Sequence, residues 1–568
     1  MSGDPKTLVD AFSMLPRGNA RGFRFIGSDS QERFFSYEMM EAEALRRAAH
    51  LQALGLKQGD RLAIVVPEGH EFVFAFMGAC AAGVIPVPIF PRASFKGLDG
   101  YVDTIAHICK ASGATMLLTM EATKPYVEKV LERDAGVTKL LFTENVFSGE
   151  VPAFRKPTIK EEDICFLQFT SGSTSRPKGV TVTHANLVAN SKAFLGDHGL
   201  GMVEEDVAVS WLPLFHDMGL IGFVLGPLIC NVQCVLLPTS TFARGPRIWL
   251  ETLHKFKGSV TYAPNFAYAL ATKRLRDRDM QELDLKHMRI AGCGAEPIQA
   301  QTMRDFQARL APAGFKDTVL LPSYGMAEGT LAITFHPRGT PIVTDIVDHD
   351  AMKRGHATPV AAGTPKALEL VSCGVGFPGH EVQVVDDNGQ PLPERRVGQI
   401  VTRGPSVTQS YYNNPEATAD GWKNGWLQTG DLGYFANGNL YICGRIKDLI
   451  IINGANYYPQ DLEWALGEMD GVRRGNVIAF SVQAEGTEQL VIAVEANSGD
   501  VERLKKAIPE KVYEISGLAT GYVAVCGVGG LPKTSSGKVQ RRKTKQLYED
   551  GLLAEHGTGR VGDGGDAG

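Results

Sequence analysis

Short β-branched runs, each closed by a glycine or proline and followed by a helical stretch, alternate along this chain as far as about residue 325. From Arg61, "RLAIVVPEGHEFVFAFMGACAAGVIPVPIF" reads strand, helix, strand: the first run stops at Pro67, and a second begins near Val84. The pattern returns in "ATMLLTM", a charged helical stretch and "VTKLLFT", then in "QCVLLP", "SVTYAP", "MRIAGCG" and "TVLLPSYG". Strands alternating with helices predict parallel sheets covered on both faces. Ligands of such sheets sit beyond the carboxyl ends of the strands, where these glycine- and proline-bearing turns fall. At 568 residues the chain exceeds one core and should divide into roughly three or four structural units.

After about residue 375 the texture changes. "HEVQVVDDNGQPLPERRVGQIVTRG" carries a DNG turn and alternating residues, which predicts a small β-rich unit. A boundary falls near "YICGRIKDLIIINGANYYPQDLE", followed by a compact segment of about 100 residues. The tail "EHGTGRVGDGGDAG" reads as disordered.

Charge and cysteine usage exclude some classes. Lys+Arg 58 against Asp+Glu 63 gives a net charge of -5, so no global field points to nucleic acid. The start "MSGDPKTLVDAFSMLP" has no basic segment leading into an apolar run, as a secretory signal would. The most apolar stretch, "LIGFVLGPLICNVQCVLLP", contains Asn231, Gln233 and an internal proline, so it reads as core and not as a membrane span. Nine scattered cysteines without a CxxC pair suit reduced thiols in a cytoplasmic protein better than a disulfide frame or zinc site.

Residues 168–179, "QFTSGSTSRPKG", crowd five hydroxyls, two glycines and two cations into twelve positions. Glycines let backbone N–H groups approach an anion and Ser/Thr hydroxyls add donors, so a phosphate cradle is one reading. A flexible surface loop is the other, and the stretch by itself leaves both open. It is not a Walker A loop, because Pro177 stands where the second glycine should precede the lysine.

Six further stretches follow in order: "SWLPLFHDMGLIG" (210–222), "GCGAEP" (292–297), "SYGMAEGTL" (323–331), "TGDLGYF" (429–435), "GRIKDLIIINGANYYPQDLE" (from 444) and "LPKTSSGKVQRRK" (531–543). Together with the hydroxyl-rich loop they resemble the adenylate-forming superfamily, which includes acyl-CoA synthetases, luciferases and peptide-synthetase adenylation domains. The resemblance spans roughly residues 25–548. It implies an α/β fold: a large N-terminal domain (1–444) of two βα-layered subdomains plus a small β-barrel-like subdomain, a hinge at 445–448, a small mobile α+β C-terminal domain (449–550), and a tail (551–568).

The resemblance also implies a chemistry and its residues. Carboxylates are poor electrophiles, and such enzymes convert them to acyl-adenylates at the α-phosphate of ATP. That needs a pyrophosphate cradle, a magnesium ion, a ribose anchor and a cation at the developing charge. Thr170, Ser171, Gly172, Ser173, Thr174 and Lys178 would form the cradle. Glu328 would bind Mg2+, as a hard oxygen donor for a hard cation. Tyr324 would stack on adenine, beside Gly325 and Met326, with Gly294, Ala295 and Glu296 along its edge; Asp431 and Arg445 would hold the ribose. Lys538 would touch both the acyl carboxylate and the bridging phosphate oxygen, and Lys447 takes the hinge position. Six Lys/Arg between 533 and 545 also read as a basic solvated face or a surface for an acidic partner.

Two details resemble one branch, the long-chain fatty acyl-AMP ligases, which pass their acyl group to a phosphopantetheinylated acyl carrier protein. These are the "YGMAE" and "NGANYYPQDLE" sequences and a 35-residue interval at 340–374, where an acyl-CoA synthetase has far fewer residues. In that branch the insertion packs on the small domain and disfavours coenzyme A; an ordinary variable loop is the competing reading. "FHDMGLIGFVLGPLIC" offers an apolar acyl lining, represented by His216, Met218, Gly219, Ile221 and Gly222. The expected function is fatty-acid activation and transfer to a carrier protein, without stable membrane insertion. A fatty acyl-CoA synthetase and a non-catalytic acyl- or nucleotide-binding relative are the alternatives.

Overall fold

The computed structural model describes residues 4–18, 20–27, 29–92, 98–170, 176–452, 455–484, 487–534 and 538–556. Its largest sheet has nine strands, in the order Val375–Gly376, Ala332–Phe335, Leu320–Gly325, Ile290–Cys293, Val260–Ala263, Val207–Ser210, Gln233–Leu236, Gly22–Ile26, Glu32–Ser36. The pairings from Leu320–Gly325 to Gly22–Ile26 are all parallel, and antiparallel strands close both ends. A second, wholly parallel sheet runs Ile85–Pro88, Arg61–Ile64, Met116–Thr119, Lys139–Phe142. Every strand expected from the apolar runs is therefore present. The four residues Val260–Ala263 are all buried, as strands covered on both faces must be.

Helices between the strands are fixed by local signals. Ser36 caps Tyr37–Ala53, its hydroxyl accepting from Met39 N at 3.2 Å. Gly69–Ala81, apolar on nearly every side, is buried from Phe72 onward and lies in the main core. "LIGFVLGPLIC" is core as well: it forms consecutive short helical segments, Asp217–Leu220, Ile221–Leu225 and Gly226–Cys230, which lead to the strand Gln233–Leu236. Among the described residues no helix is long and apolar enough to cross a membrane.

Beyond Gly376 the chain becomes antiparallel: Glu381–Val385, Gly398–Arg403, Trp426–Ala436 and Asn439–Arg445 form one sheet, with Trp422–Lys423 beside it. From Ile450 a separate apolar core closes between the strands Val472–Ala484, Thr487–Ala496 and Thr520–Cys526 and the helices Pro459–Gly467 and Val501–Ser516. The tail expected from 551 is anchored as far as 556. Leu553 is buried, His556 N donates to Val525 O at 2.8 Å, and Glu555 bridges to Cys526. An apolar side chain ahead of the Gly/Asp run accounts for this; residues 557–568 lie outside the described residues.

The interval 340–374 is a folded unit. Thr344–Asp348 pairs antiparallel with Ala367–Val371, and the short helix His349–Met352 lies between them. Val347, Met352 and Ala357 share a core with Tyr434, Tyr441 and Cys443 of the antiparallel sheet and with Tyr458 from beyond Ile450. Asp345 accepts from Arg395 at 3.0 Å and from the Tyr434 hydroxyl at 2.8 Å. Lys353, 13% exposed, donates to Ser516 O at 3.2 Å, and its ammonium lies 5.0 Å from the Tyr457 ring. Asn456 N donates to Lys353 O at 3.3 Å.

Candidate active site

Three neighbouring parallel strands, Val260–Ala263, Ile290–Cys293 and Leu320–Gly325, end at the same edge of the large sheet. Their carboxyl ends lead into Asn265–Phe266, Gly294–Glu296 and Met326–Glu328, which line one cleft of about 2990 Å³. Asp431 and Arg445 line it from the antiparallel sheet, and Lys538 from the segment beyond Ile450.

Asp431 is buried, and its two oxygens have different partners. Oδ2 accepts from the Tyr324 hydroxyl at 2.6 Å, and Oδ1 accepts from Arg445 Nε at 3.1 Å. Register makes the second contact, since Asp431 and Arg445 are paired across antiparallel strands. An ionised carboxylate has about four lone-pair sites, so capacity remains for two more donors.

Glu328 sits in the tight turn Ala327–Gly329. The turn is pinned from outside, with Thr408 donating to Glu328 O through its N–H (2.9 Å) and its hydroxyl (3.0 Å). It exits through Thr330 at φ 69°, a left-handed conformation that a β-branched residue rarely adopts, and the Thr330 hydroxyl is held by Ser406 O at 2.5 Å. Burial pushes the Glu328 carboxyl above its ordinary range, against the hydrogen bond its Oε1 accepts from Tyr411 at 2.6 Å. A buried oxygen anion with few protein donors, in a cleft wide enough for a polyphosphate, suits a hard divalent cation that takes its remaining ligands from phosphate and water.

Tyr411 also lies under Lys178, whose ammonium stands 5.0 Å from its ring. This follows from the backbone: residues 410–412 run beside the strand Lys178–Thr183, with Thr181 N donating to Ser410 O at 3.1 Å and Tyr412 N to Gly179 O at 2.7 Å. Thr170 and Lys178 face each other across the hairpin Ile164–Thr170/Lys178–Thr183, and both line the cleft. Ser171, Gly172, Ser173 and Thr174 lie outside the described residues.

Lys538 donates its ammonium to Ala295 O. Burial pulls the Lys538 ammonium below its usual range, while Glu296 and Asp217 act the other way. Ala295 itself is at φ 68°, which turns its carbonyl out of the strand direction. Glu296, expected along the adenine edge, lines the cleft beside Gly294 and Ala295; it accepts from Phe266 N at 2.6 Å, and burial raises its carboxyl above the ordinary range.

His216 and Asp217 form a pair not foreseen as such, Nδ1 to Oδ1 at 2.6 Å. Burial would raise the Asp217 carboxyl, but the His216 ring, the Met218 N–H and Lys538 outweigh it and hold the group below its ordinary value. Asp217 follows His216 directly in "FHDMG", and nothing in the sequence pairs the two side chains.

Met218 and Gly222 line the cleft, which continues inward between Phe194, Leu200, Met202, Val232 and Phe335 as an apolar chamber. Gly219 and Ile221 do not line it. Gly219 packs against Pro213, whose carbonyl a Cβ would meet at 2.1 Å, and Ile221 is fully buried in the core. Helical rotation sets these two on either side of the Met218–Gly222 stripe, away from the cleft.

Lys447 is exposed in a single turn, Ile446–Asp448, between the strands Asn439–Arg445 and Ile450–Ile452. Nearby, Asp461 lines the cleft with one carboxylate oxygen lacking any partner among the described residues, and burial raises its pKa to about 7 from 3.8. The native state therefore keeps this proton between those two values, where the unfolded chain has released it. Stability falls as pH rises through the window and is level above it. Asp461→Asn is expected to raise the Tm at pH near 8 and to leave it unchanged near pH 4; an equal shift at both pH values would refute the assignment.

A family model described as AMP-binding enzyme matches residues 19–412. A putative acyl-CoA synthetase of Caulobacter vibrioides is 39% identical over 531 residues, covering 91% of each chain. The long-chain-fatty-acid–AMP ligase FadD32 of Mycolicibacterium smegmatis is 33% identical over 592 residues, covering 94% of this chain and 93% of that one. Among solved structures, a chain from a study of fatty acyl-adenylate ligases of E. coli and L. pneumophila superposes with a TM-score of 0.91 at 32% identity, covering 96% of this chain and 98% of its own.

Proposed function

This chain belongs to the AMP-binding enzymes, the adenylate-forming ligases, and we propose that it activates a fatty acid with ATP and passes the acyl group to the phosphopantetheine thiol of an acyl carrier protein. One observation carries the reading. A cation from the segment beyond Ile450, Lys538, reaches the end of the large sheet in a cleft that holds the Asp431–Arg445–Tyr324 cluster and Glu328 and runs on into an apolar chamber.

In the first step a carboxylate oxygen of the acid attacks the α-phosphorus, and the bond to the β-phosphate oxygen breaks, releasing pyrophosphate. Lys538 is assigned the charge developing between the carboxylate and the α-phosphate. Asp431 and Arg445 are assigned the ribose hydroxyls. Tyr324, with Gly325, Met326, Gly294 and Ala295 around it, is assigned the base. Lys178 and Thr170, with the loop 171–174, are assigned the pyrophosphate. Mg2+ bound at Glu328 would neutralise phosphate charge. In the second step the carrier thiol attacks the acyl carbonyl carbon, and AMP leaves with the electron pair of the C–O bond while the thiol proton is released.

We place the pivot between the two steps at 445–448, with residues 449–556 as the moving domain and the protein in the cytoplasm. The carrier protein is preferred over coenzyme A because the segment 340–374 packs on both sides of that pivot. The name of the Caulobacter relative keeps coenzyme A as the competing acceptor.

The deciding experiment is acid-dependent ATP–pyrophosphate exchange, followed by transfer to coenzyme A or to a phosphopantetheinylated carrier. Exchange with fatty acids and transfer to the carrier are expected. No exchange with any acid would refute the ligase reading, and rapid acyl-CoA formation would refute the choice of acceptor. Glu328→Gln tests the metal assignment: it keeps shape and removes a charge, so the Mg2+ concentration for half-maximal exchange should rise about tenfold or more, since a charged oxygen ligand is lost. An unchanged Mg2+ titration would place the ion elsewhere.

A further inference from the structure

The short stretch 408–412 holds two charged groups of the cleft at once. It grips Glu328 twice: Thr408 donates to the Glu328 main-chain carbonyl at 2.9 and 3.0 Å, and the Tyr411 hydroxyl donates to Oε1 at 2.6 Å. Among the described residues, Tyr411 is the only side chain that donates to that carboxylate. The face of the same ring lies 5.0 Å from the Lys178 ammonium. One side chain therefore meets the residue assigned to the metal with its hydroxyl and a residue assigned to the pyrophosphate with its face. All three line the cleft.

The ring is held where it is from several directions. Tyr411 forms an antiparallel bridge with Val180, and Tyr412 N donates to Gly179 O at 2.7 Å, so the backbone is tied directly after Lys178. Tyr411 N donates to Thr418 Oγ1 at 3.0 Å, in the helix Pro415–Gly421 that Asn414 caps. Trp422 stands edge-on to the ring with centroids 5.2 Å apart, and a Cβ at Gly421 would come within 3.4 Å of it. A donor fixed in this way orients a carboxylate before an ion arrives, which is how outer groups tune metal ligands.

We propose that Tyr411 is a positioning residue for adenylation: its hydroxyl sets the Glu328 carboxylate for Mg2+, and its ring steadies the Lys178 ammonium for pyrophosphate. The two opposite charges are thereby presented as one unit. This rests on the assignments of Glu328 and Lys178 made above. Tyr411 acts through those residues and is assigned to no reacting atom. Its two contacts are chemically separable, since phenylalanine keeps the ring and loses the hydroxyl, whereas leucine loses both.

The test compares Tyr411→Phe and Tyr411→Leu with the wild type in pyrophosphate exchange. It also measures Mn2+ binding by electron paramagnetic resonance with ATP present and acid omitted, because Mn2+ takes the same oxygen donors as Mg2+. Tyr411→Phe should raise the half-maximal Mg2+ concentration and weaken Mn2+ binding by about tenfold each, the scale of one hydrogen bond to a charged group. KM for pyrophosphate at saturating Mg2+ should stay within about twofold, because the ring remains over Lys178. Tyr411→Leu should raise that KM about threefold further, the scale of a cation–π contact at a partly open site. In the Glu328→Gln background, Tyr411→Phe should change the Mg2+ requirement little, because its partner's charge is already gone.

Unchanged Mg2+ and Mn2+ dependence in Tyr411→Phe, with or without a lower Tm, would overturn the proposal and leave Tyr411 a packing role. So would a pyrophosphate KM raised as much by phenylalanine as by leucine, or a full tenfold effect in the Glu328→Gln background. No exchange with any acid, with Mn2+ binding still weakened in Tyr411→Phe, would refute the ligase reading and support the link from Tyr411 to Glu328. If Glu328→Gln alone alters neither the Mg2+ titration nor Mn2+ affinity, the metal assignment falls and this role with it.

Discussion

Lys538→Ala is expected to lower acid-dependent pyrophosphate exchange by about two orders of magnitude or more, the scale of removing one preorganised group at a developing charge. The ammonium of the half-buried Lys538 reaches Ala295 O, in the field of Glu296 and Asp217. In that setting the charge is fixed before the reaction begins and needs no solvent rearrangement. Acyl transfer from supplied acyl-AMP should fall far less, because its chemistry takes place at the acyl carbon after the pivot has turned. The Tm should barely move, since the lysine has lost hydration in the native state and is bonded there to a single carbonyl. Equal losses in both half-reactions, or a collapse of Tm, would show that Lys538 serves folding or docking.

The second large effect concerns the acceptor. The unit at 340–374 shares apolar contacts with the antiparallel sheet and with Tyr458, and Lys353 reaches Ser516 and Tyr457 across the proposed pivot. A bias of about 3 kcal/mol toward this arrangement would lower the rotated state by about two orders of magnitude. A carrier protein docks over a broad surface that can recover such a bias, and coenzyme A has fewer contacts with which to do so. The wild type should therefore accumulate acyl-AMP, form little acyl-CoA, and acylate an added carrier. Lys353→Ala removes the charge-assisted bond to Ser516 O across the pivot, along with an ion pair to Asp350 inside the segment, and should raise acyl-CoA formation about tenfold, since 1.4 kcal/mol is a factor of ten. Replacing 344–371 by a short linker should raise it further but strips Val347 and Met352 from a shared core, so the point variant is the cleaner probe. If neither variant changes the ratio of acyl-CoA to acyl-AMP, the segment does not select the acceptor.

The sheets were legible because their signals are local. Runs such as "SVTYAP" and "MRIAGCG" carry strand and turn in a handful of neighbouring residues, and these strands appear where expected. The site residues that the structure gathers into one cleft each stand in a short stretch of the sequence, which is why they could be named from it. What escaped depends on residues far apart in sequence. Glu328 meets Tyr411 over a separation of 83 residues, and Lys353 meets Ser516 over 163. The acyl wall shows the reverse: Gly219 and Ile221 belong to the same apolar stretch as Met218 and Gly222, and helical rotation turns them from the cleft.

Asp431 and Arg445 face each other across two antiparallel strands, and the turn Ile446–Asp448 begins one residue later. The proposed nucleotide-binding wall and the stationary leaf of the proposed pivot are thus the same piece of β-ribbon. Whatever steadies Arg445, including a bound ribose, would also steady the axis about which residues 449–556 are proposed to turn. A nucleoside should therefore narrow the spread of lid orientations without choosing among them, as tightening a hinge screw trues a door without closing it. The choice is left to groups farther out on the lid, Lys538 and Lys353's partners Ser516 and Tyr457, which are engaged together in the present arrangement.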